Sequence, residues 1–326
     1  MPLANNPGWY TLSIVVPCYN EEASLPLFYD RLSAVTGDLP EARLELILVD
    51  DGSADGTLAA ARALRERDPR VRVLAFSRNF GKEAAMLAGM AAASGDLIAV
   101  MDADLQDPPS LLPEMIRAVR EEGWDCAAAR RVSRKGEPPI RSFFARRFYR
   151  LINKLSRTEI ADGARDFRVM TRQVVEAILS LPEVNRFSKG IFSWVGFRTK
   201  WVEYENVARV AGETKWSFWR LFLYSLDGIV AFSTLPLSIA SVAGLVFCLA
   251  SFVMILVIIV KTLIWGDPVG GWPSLVCILF FISGIQLFCM GILGQYLSKT
   301  YLEAKRRPLY ILREDSGKPE SSKEKE

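Results

Sequence analysis

Leu97-Ile-Ala-Val-Met-Asp-Ala-Asp-Leu-Gln-Asp-Pro-Pro109 is a short apolar run that ends in two carboxylates, Asp102 and Asp104. Read as a strand, it delivers both acids to its C-terminal end, with the polar Gln106 just beyond. A hard divalent cation takes carboxylate and carbonyl oxygens, commonly one or two protein carboxylates with substrate phosphates and water completing the shell. Asp-x-Asp alone is weak, because acids at a strand end often only form turns. Its surroundings decide.

Those surroundings repeat. Short apolar runs alternate with helical patterns: Thr11–Val16 then Ala23–Thr36, Leu44–Val49 then Thr57–Arg67, Val71–Phe76 then Lys82–Ala93, and Leu97–Met101 then Leu111–Glu122. This alternation predicts an α/β fold with a doubly wound, mostly parallel sheet, whose ligands bind beyond the carboxyl ends of the strands. Polar clusters fall at those ends: Pro17-Cys-Tyr-Asn-Glu-Glu22, Asp50-Asp-Gly-Ser53 and Asp102-Ala-Asp104. Asp55-Gly56, before Thr57, reads as a helix cap. The clusters are expected to converge on one crevice.

Several chemistries drop out. The chain has no histidine, which removes Ser-His-Asp and Cys-His nucleophiles and every histidine-ligated metal. Neither Gly-x-Gly-x-x-Gly after the first strand nor a P-loop pattern is present. The five cysteines show no metal or redox spacing, and Cys248, Cys277 and Cys289 lie in apolar runs, as suits a reducing compartment. A net charge of +3 without a basic stripe argues against a nucleic-acid partner.

Apolar residues concentrate near the C-terminus. From Pro236 to Ile264 the only charge is Lys261, and from Ser274 to Leu297 there is none. Each run is long enough for a hydrocarbon core about 30 Å thick, which takes roughly 20 helical residues. The reading is a cytoplasmic catalytic domain over 1–215, an amphipathic juxtamembrane segment over 216–232, transmembrane helices over 233–264 and 274–298, and an extracytoplasmic hairpin loop over 265–273. A cytoplasmic basic segment and tail follow over 299–326, with Glu314–Glu326 expected to be disordered. Lys215, Arg220, Lys299, Lys305, Arg306 and Arg307 flank the spans, and the hairpin loop has no Lys or Arg. By the positive-inside rule, the protein is a multi-pass cytoplasmic-membrane protein with both termini inside. No signal peptide competes, since the N-terminus lacks a basic region. Pro138–Arg157 carries an apolar and a basic helical face, and Trp216-Ser-Phe-Trp-Arg-Leu-Phe-Leu-Tyr224 is an interfacial candidate.

Val15-Val-Pro-Cys-Tyr-Asn-Glu-Glu22, Val49-Asp-Asp-Gly-Ser-Ala-Asp-Gly-Thr57, Asp102-Ala-Asp-Leu-Gln-Asp-Pro-Pro109 and Asp166-Phe-Arg-Val-Met170 together resemble the family-2 glycosyltransferases of GT-A fold. The nearer likeness is to polyprenyl-phosphate glycosyltransferases, which include dolichyl-phosphate mannose synthases and bacterial two-span undecaprenyl-phosphate sugar transferases, over about Thr11 to Arg307. The resemblance implies that Pro17, Tyr19, Glu21, Val49, Asp50 and Asp51 line a nucleotide pocket. It implies that Asp102 and Ala103 contact the nucleotide sugar, and that Asp104 and Gln106 hold Mg²⁺ or Mn²⁺ against the diphosphate. Arg130 takes the place of an arginine after the fifth strand, and Arg209 and Lys215 match a basic pair that meets phosphate. Asp166 falls at the position of the base or acceptor-orienting residue.

The reaction so implied is attack by a polyprenyl-phosphate oxygen on the anomeric carbon of a nucleotide sugar, with inversion. A phosphate monoester has a second pKa near 6, so the acceptor is largely dianionic at neutral pH and needs little help from a base. That favours positioning over proton removal for Asp166. Donors of UDP-glucose or UDP-N-acetylglucosamine type are preferred, and a homo-oligomer is left open. The rival readings are a processive polysaccharide synthase, which a missing Gln-x-x-Arg-Trp disfavours, and an inactive membrane scaffold, which the intact acidic motifs disfavour.

Overall fold

A computed structural model describes residues 8–132, 163–205, 235–265 and 271–317. Pro138–Arg157, Arg209, Lys215, Trp216–Tyr224 and the end of the tail lie outside the described residues.

The first four strands are β1 (Tyr10–Cys18), β2 (Ala42–Asp50), β3 (Val71–Phe76) and β4 (Leu97–Val100), alternating with α1 (Ser24–Gly37), α2 (Thr57–Arg67) and α3 (Lys82–Ala92). A short 3₁₀ turn at Pro109–Leu111 leads into α4 (Leu112–Arg120). Then come β5 (Cys126–Arg131), β6 (Ala164–Thr171), α5 (Arg172–Leu179), α6 (Ser188–Trp194) and β7 (Thr199–Tyr204). The helices α7 (Leu235–Trp265) and α8 (Trp272–Ala304) follow, and β8 (Leu312–Asp315) closes the described chain.

The sheet runs β7-β5-β6-β4-β1-β2-β3-β8. Pairing is parallel across β3-β2-β1-β4 and between β5 and β7, while β6 and β8 run antiparallel to their neighbours. The mostly parallel, doubly wound sheet expected from the βα repeats is therefore present. The chain winds outward from β1 to β3, then returns to β4 on the other side of β1. That reversal makes the switch point where such sheets bind ligands.

Strand alternation builds the two faces. Leu12, Ile14 and Val16 of β1 join Leu25, Phe28 and Leu32 of α1, Leu112, Met115 and Val119 of α4, and Phe167 of β6 in one buried cluster. Val15 points the other way, under α3. A Cβ on Gly89 would stand 2.1 Å from Val15 Cγ1 and 3.2 Å from Val49 Cγ2, so this glycine lets α3 lie directly on β1 and β2. The N-terminus of α3, at Lys82, is thereby brought over the strand ends.

The expected tail is corrected at its start. Glu314 and Asp315 belong to β8, which pairs with β3 through Leu74↔Asp315, Ala75↔Glu314 and Phe76↔Leu312. The physical reason is complementary charge at an otherwise open strand edge. Arg72 makes a two-pronged bond to Asp315 at 2.9 and 3.0 Å, and Arg62 pairs with Glu314. Val73 N–H donates to Ser316 Oγ at 2.7 Å and Ser77 N–H to the Ile311 carbonyl at 3.0 Å. A composition rich in Lys, Glu and Ser hid these pairs.

The second compact unit, Phe222–Arg307, holds both predicted apolar runs as helices that touch through Phe247 and Phe281, ring centroids 6.0 Å apart. Leu245, Phe252, Leu256, Phe280, Phe288 and Leu293 are exposed, far more apolar surface than water favours. Among the described residues one helix, Ile278–Ala304, is long and apolar enough to cross a membrane. The helices do not end where the expected loop and second span do. Trp265 ends α7, Trp272 and Pro273 open α8, and α8 continues beyond 298 to Ala304. Proline is at home in a first helical turn, where its missing N–H costs nothing.

Two outcomes test this packing. Asp315→Ala is expected to lower the urea-unfolding free energy by about 1–3 kcal/mol, because Arg72 loses its acid in a half-buried place, and to expose the Ser77 amide to hydrogen exchange. Gly89→Ala should lose stability in the same assay, although in an open helix the change gains about 1 kcal/mol of propensity, because overpacking against Val15 outweighs that gain.

Candidate active site

The loops after β1 and β2 form one platform. Asn20, at φ 56°, donates its N–H to Ser53 Oγ at 3.0 Å and accepts from Ala54 N–H at 2.9 Å. Glu21 N–H donates to Thr57 Oγ1 at 2.7 Å, and Glu22 Oε2 accepts from Gly56 N–H at 3.0 Å. The Asp55 carboxylate accepts from Thr57 N–H at 3.0 Å in a turn just before α2, whose N-cap position is taken by Gly56. Pro17 and Val49 are register partners, and Asp51 N–H donates to the Cys18 carbonyl at 2.9 Å. On this platform Tyr19 is exposed and Asp50 is buried, accepting from Ser53 N–H at 3.3 Å. The Glu21 carboxylate accepts from the Ser24 hydroxyl.

The loop after β3 presses onto this platform. Gly52 has φ 65°, and a Cβ there would meet the backbone carbon of Arg78 at 2.5 Å, so only glycine allows the approach. Asp51 accepts from Phe80 N–H at 2.7 Å and from Gly81 N–H at 2.9 Å. Its carboxylate is thus bound to the backbone that starts α3. Burial pushes the Asp51 carboxyl up, and those two amides counter it in part.

From that anchored turn Lys82 reaches into the crevice. Its ammonium lies 2.7 Å from Asp102 Oδ1 and 2.6 Å from Asp166 Oδ2. The strand register explains why these acids meet. Val100 of β4 pairs with Arg168 of β6, and continuing the antiparallel register two residues brings Asp102 level with Asp166. Two carboxylates so close repel, and Lys82 offsets that repulsion. Enclosure alone would lower the Lys82 pKa, but the two carboxylates outweigh it and raise it. Burial would likewise raise Asp166, yet the charge of Lys82, helped by that of Lys189, holds it well below the ordinary carboxylate range. Asp102 goes the other way, pushed up by burial against the pull of Lys82.

Supports surround this trio. Buried Arg168 donates from Nη2 to the Arg165 carbonyl at 3.0 Å and from Nε to the Asp166 carbonyl at 3.4 Å, with its guanidinium 3.4 Å from the Phe192 ring centre. Glu83, next to Lys82, accepts from Ser188 N–H at 3.1 Å and from the Ser188 hydroxyl, which ties α3 to α6. Arg165 donates to Asp107 Oδ1 at 2.9 Å and to Gln106 Oε1 at 3.2 Å, and the Tyr204 hydroxyl also donates to Asp107. Among the described residues, the buried Asp107 Oδ2 has no hydrogen-bond partner.

The donor set bears on metal binding. Asp104 is buried, and its Oδ1 accepts from Gln106 N–H at 3.1 Å across a turn in which Leu105 takes φ 58°. Among the described residues no three acids or thiols converge as a cage. The residues fit a cation that takes one protein carboxylate, Asp104, and draws its other ligands from diphosphate and water. Gln106 is already engaged by Arg165.

The remaining expected residues fall as follows. Ala103 is buried between the two acids. Arg130 lies within β5 rather than after it, 3.7 Å from Glu203 of β7. No signal in the acidic motifs pointed to Lys82, Arg165 or Tyr204. Lys82 was nonetheless accessible by the rule that gave the other clusters, because Ser77-Arg-Asn-Phe-Gly-Lys82 stands at the carboxyl end of the third strand.

The depressed Asp166 acid has a stability consequence. A carboxyl whose folded pKa is lowered stabilises the fold above its unfolded value of about 3.9 and loses that contribution as pH falls through the folded value. Asp166→Asn is therefore expected to be less stable than the parent at pH 7, by about 1–3 kcal/mol, with the gap closing below about pH 4 in urea melts at both pH values.

The model of glycosyl transferase family 2 matches residues 13–179. The chain is 42% identical over 302 residues to the prophage bactoprenol glucosyl transferase homolog of Escherichia coli (strain K12), covering 93% of this chain and 98% of that protein. It is 42% identical over 307 residues to the bactoprenol glucosyl transferase of Shigella phage SfV, covering 94% and 99%. Among solved structures, glucosyl-3-phosphoglycerate synthase from Mycobacterium tuberculosis, in complex with Mn²⁺, UDP and phosphoglyceric acid, matches at 22% identity and a TM-score of 0.47, covering 69% of this chain and 82% of that one. With a family match across half its length and relatives aligned almost end to end, this chain belongs to glycosyl transferase family 2 and is a glycosyltransferase.

Proposed function

We propose that this enzyme moves one sugar from a nucleotide sugar to polyprenyl phosphate at the membrane surface, with inversion at the anomeric carbon. The observation that carries the reading is the Lys82-bridged pair of Asp102 and Asp166 at the switch point of the sheet, in a chain that also bears a helix long and apolar enough to cross a membrane. The bactoprenol glucosyl transferases named among the relatives support a polyprenyl acceptor and favour UDP-glucose over UDP-N-acetylglucosamine as donor.

Pro17, Tyr19, Glu21, Val49 and Asp50 would line the nucleotide pocket, while Asp51 would act by holding the loop that carries Lys82. Asp102 and Ala103 would meet the donor sugar. Asp104 would hold Mg²⁺ or Mn²⁺, joined by Gln106 if Arg165 releases it, and the cation would neutralise charge on the departing diphosphate. Arg130, Arg209 and Lys215 would add to phosphate binding. Asp166, ionised throughout the neutral range, would orient the acceptor phosphate, which already carries its nucleophilic charge. Both apolar helices would cross the membrane, with the catalytic domain and both termini in the cytoplasm.

The test incubates detergent-purified protein with undecaprenyl phosphate, Mn²⁺ and radiolabelled UDP and GDP sugars, and follows label into the organic phase. Label from UDP-glucose is expected. Asp104→Asn is expected to lose about 100-fold or more in metal-dependent turnover, a typical scale for removing a key electrostatic group. Full turnover in that variant would show the metal assignment to be wrong, and absence of lipid-borne label with every donor would remove the transferase-to-lipid reading.

A further inference from the structure

The reaction just proposed has an electrostatic difficulty. A dianionic phosphate must come beside Asp166, close to Asp102 and to a donor diphosphate, and every one of these groups is negative. Like charges brought this close in a partly enclosed site repel strongly. Some cation on the acceptor side must offset this.

Arg168 lies close but is badly placed for it. Its guanidinium is buried, covered by Phe192, and directed at the backbone carbonyls of Arg165 and Asp166. Arg165 is bound to Asp107 and Gln106 on the side of the acidic loop. Lys82 differs on each count. Its side chain is 42% exposed, whereas those of Asp102 and Asp166 are 20% and 17% exposed, so it forms the outer part of the trio. It sits on an anchored turn, with Asp51 binding Phe80 and Gly81 and Glu83 binding Ser188. It also opens α3, where the helix dipole adds positive potential. An ammonium on a four-carbon stem exchanges partners readily, which a planar guanidinium fork does less well.

We propose that Lys82 is a residue that receives the acceptor's phosphate: it spans Asp102 and Asp166 in the free enzyme, then shifts from Asp166 to a phosphate oxygen when the lipid acceptor arrives, keeping its hold on Asp102. This rests on the transferase reading above. The exchange makes and breaks only ionic hydrogen bonds, so no proton or electron pair moves. It gives Lys82 a double duty, holding the two carboxylates together while the acceptor is absent and tying the acceptor to the donor-side Asp102 once it binds.

The alternative is that Lys82 only relieves repulsion between the two acids. The two roles separate kinetically. Full-length protein in detergent is assayed with UDP-glucose, Mn²⁺ and undecaprenyl phosphate, and donor binding is measured by calorimetry without acceptor. If Lys82 binds the acceptor, Lys82→Gln raises the acceptor KM about tenfold or more and lowers kcat about 100-fold, with the donor Kd within about threefold of the parent. Lys82→Arg, which keeps the charge, recovers most of the acceptor KM. An unchanged acceptor KM in Lys82→Gln, or a donor Kd that weakens as much as the acceptor KM, overturns the proposal. Should Lys82→Gln not fold, Lys82→Gln/Asp166→Asn is compared with Asp166→Asn, since the double variant leaves fewer uncompensated charges; a higher acceptor KM in the double variant supports the proposal and an equal one overturns it. A parent enzyme that labels no lipid from any donor instead overturns the transferase reading, and the role of Lys82 with it.

Discussion

One ammonium group sits between two carboxylates that come from strands with opposite directions. Asp102 follows β4 by two residues, and Asp166 lies near the start of β6. Antiparallel pairing brings them level, which would be unfavourable without the charge of Lys82 between them. Much of the surrounding structure serves to deliver that charge. Gly89 lets α3 settle on Val15 and Val49, Gly52 lets the preceding loop touch the β2 loop, and Asp51 binds the two amides at the entry to the helix. A polar site assembled in this way is stable only while every charge has its partner, as is usual for buried ionic groups.

The same sheet ends in an edge that the chain closes with its own C-terminal segment. β8 meets β3 through the ion pairs of Arg62 and Arg72, and Tyr310 stacks on Phe76 at 5.2 Å while Phe80 meets Phe76 edge-on at 5.7 Å. Arg72 also donates to the Ala92 carbonyl at the end of α3, at 2.8 Å. The helix that carries Lys82 is therefore fixed at its start by Asp51 and at its end by the strand pair β3 and β8. A segment that composition marks as a solvated tail thus helps to hold the active-site helix.

The sequence was legible where local pattern and chemistry coincide. The four βα repeats marked β1 to β4 and α1 to α4 closely, because a two-residue period and a helical period leave different traces in apolar residues. The convergence of Pro17–Glu22, Asp50–Ser53 and Asp102–Asp104 followed from the general place of ligands in such sheets. β6, β7 and β8 were not legible as sheet members. Their pairing is non-local, and Leu312–Asp315 is too short and too charged to read as a strand until its arginine partners are known.

Membership of the α/β class, the acidic motifs, the absence of histidine chemistry and the apolar C-terminal runs were all determined by the sequence alone, since each depends on residue type and short-range spacing. Only the tertiary structure decided which charges meet. That Lys82 bridges Asp102 and Asp166, that Asp51 binds a backbone turn, that Arg165 takes Gln106 and Asp107, and that Glu314 and Asp315 seal a sheet edge all depend on strand order and register. Electrostatic partners far apart in the chain leave no local mark, because a charged side chain reads the same in sequence whether it faces water or another charge.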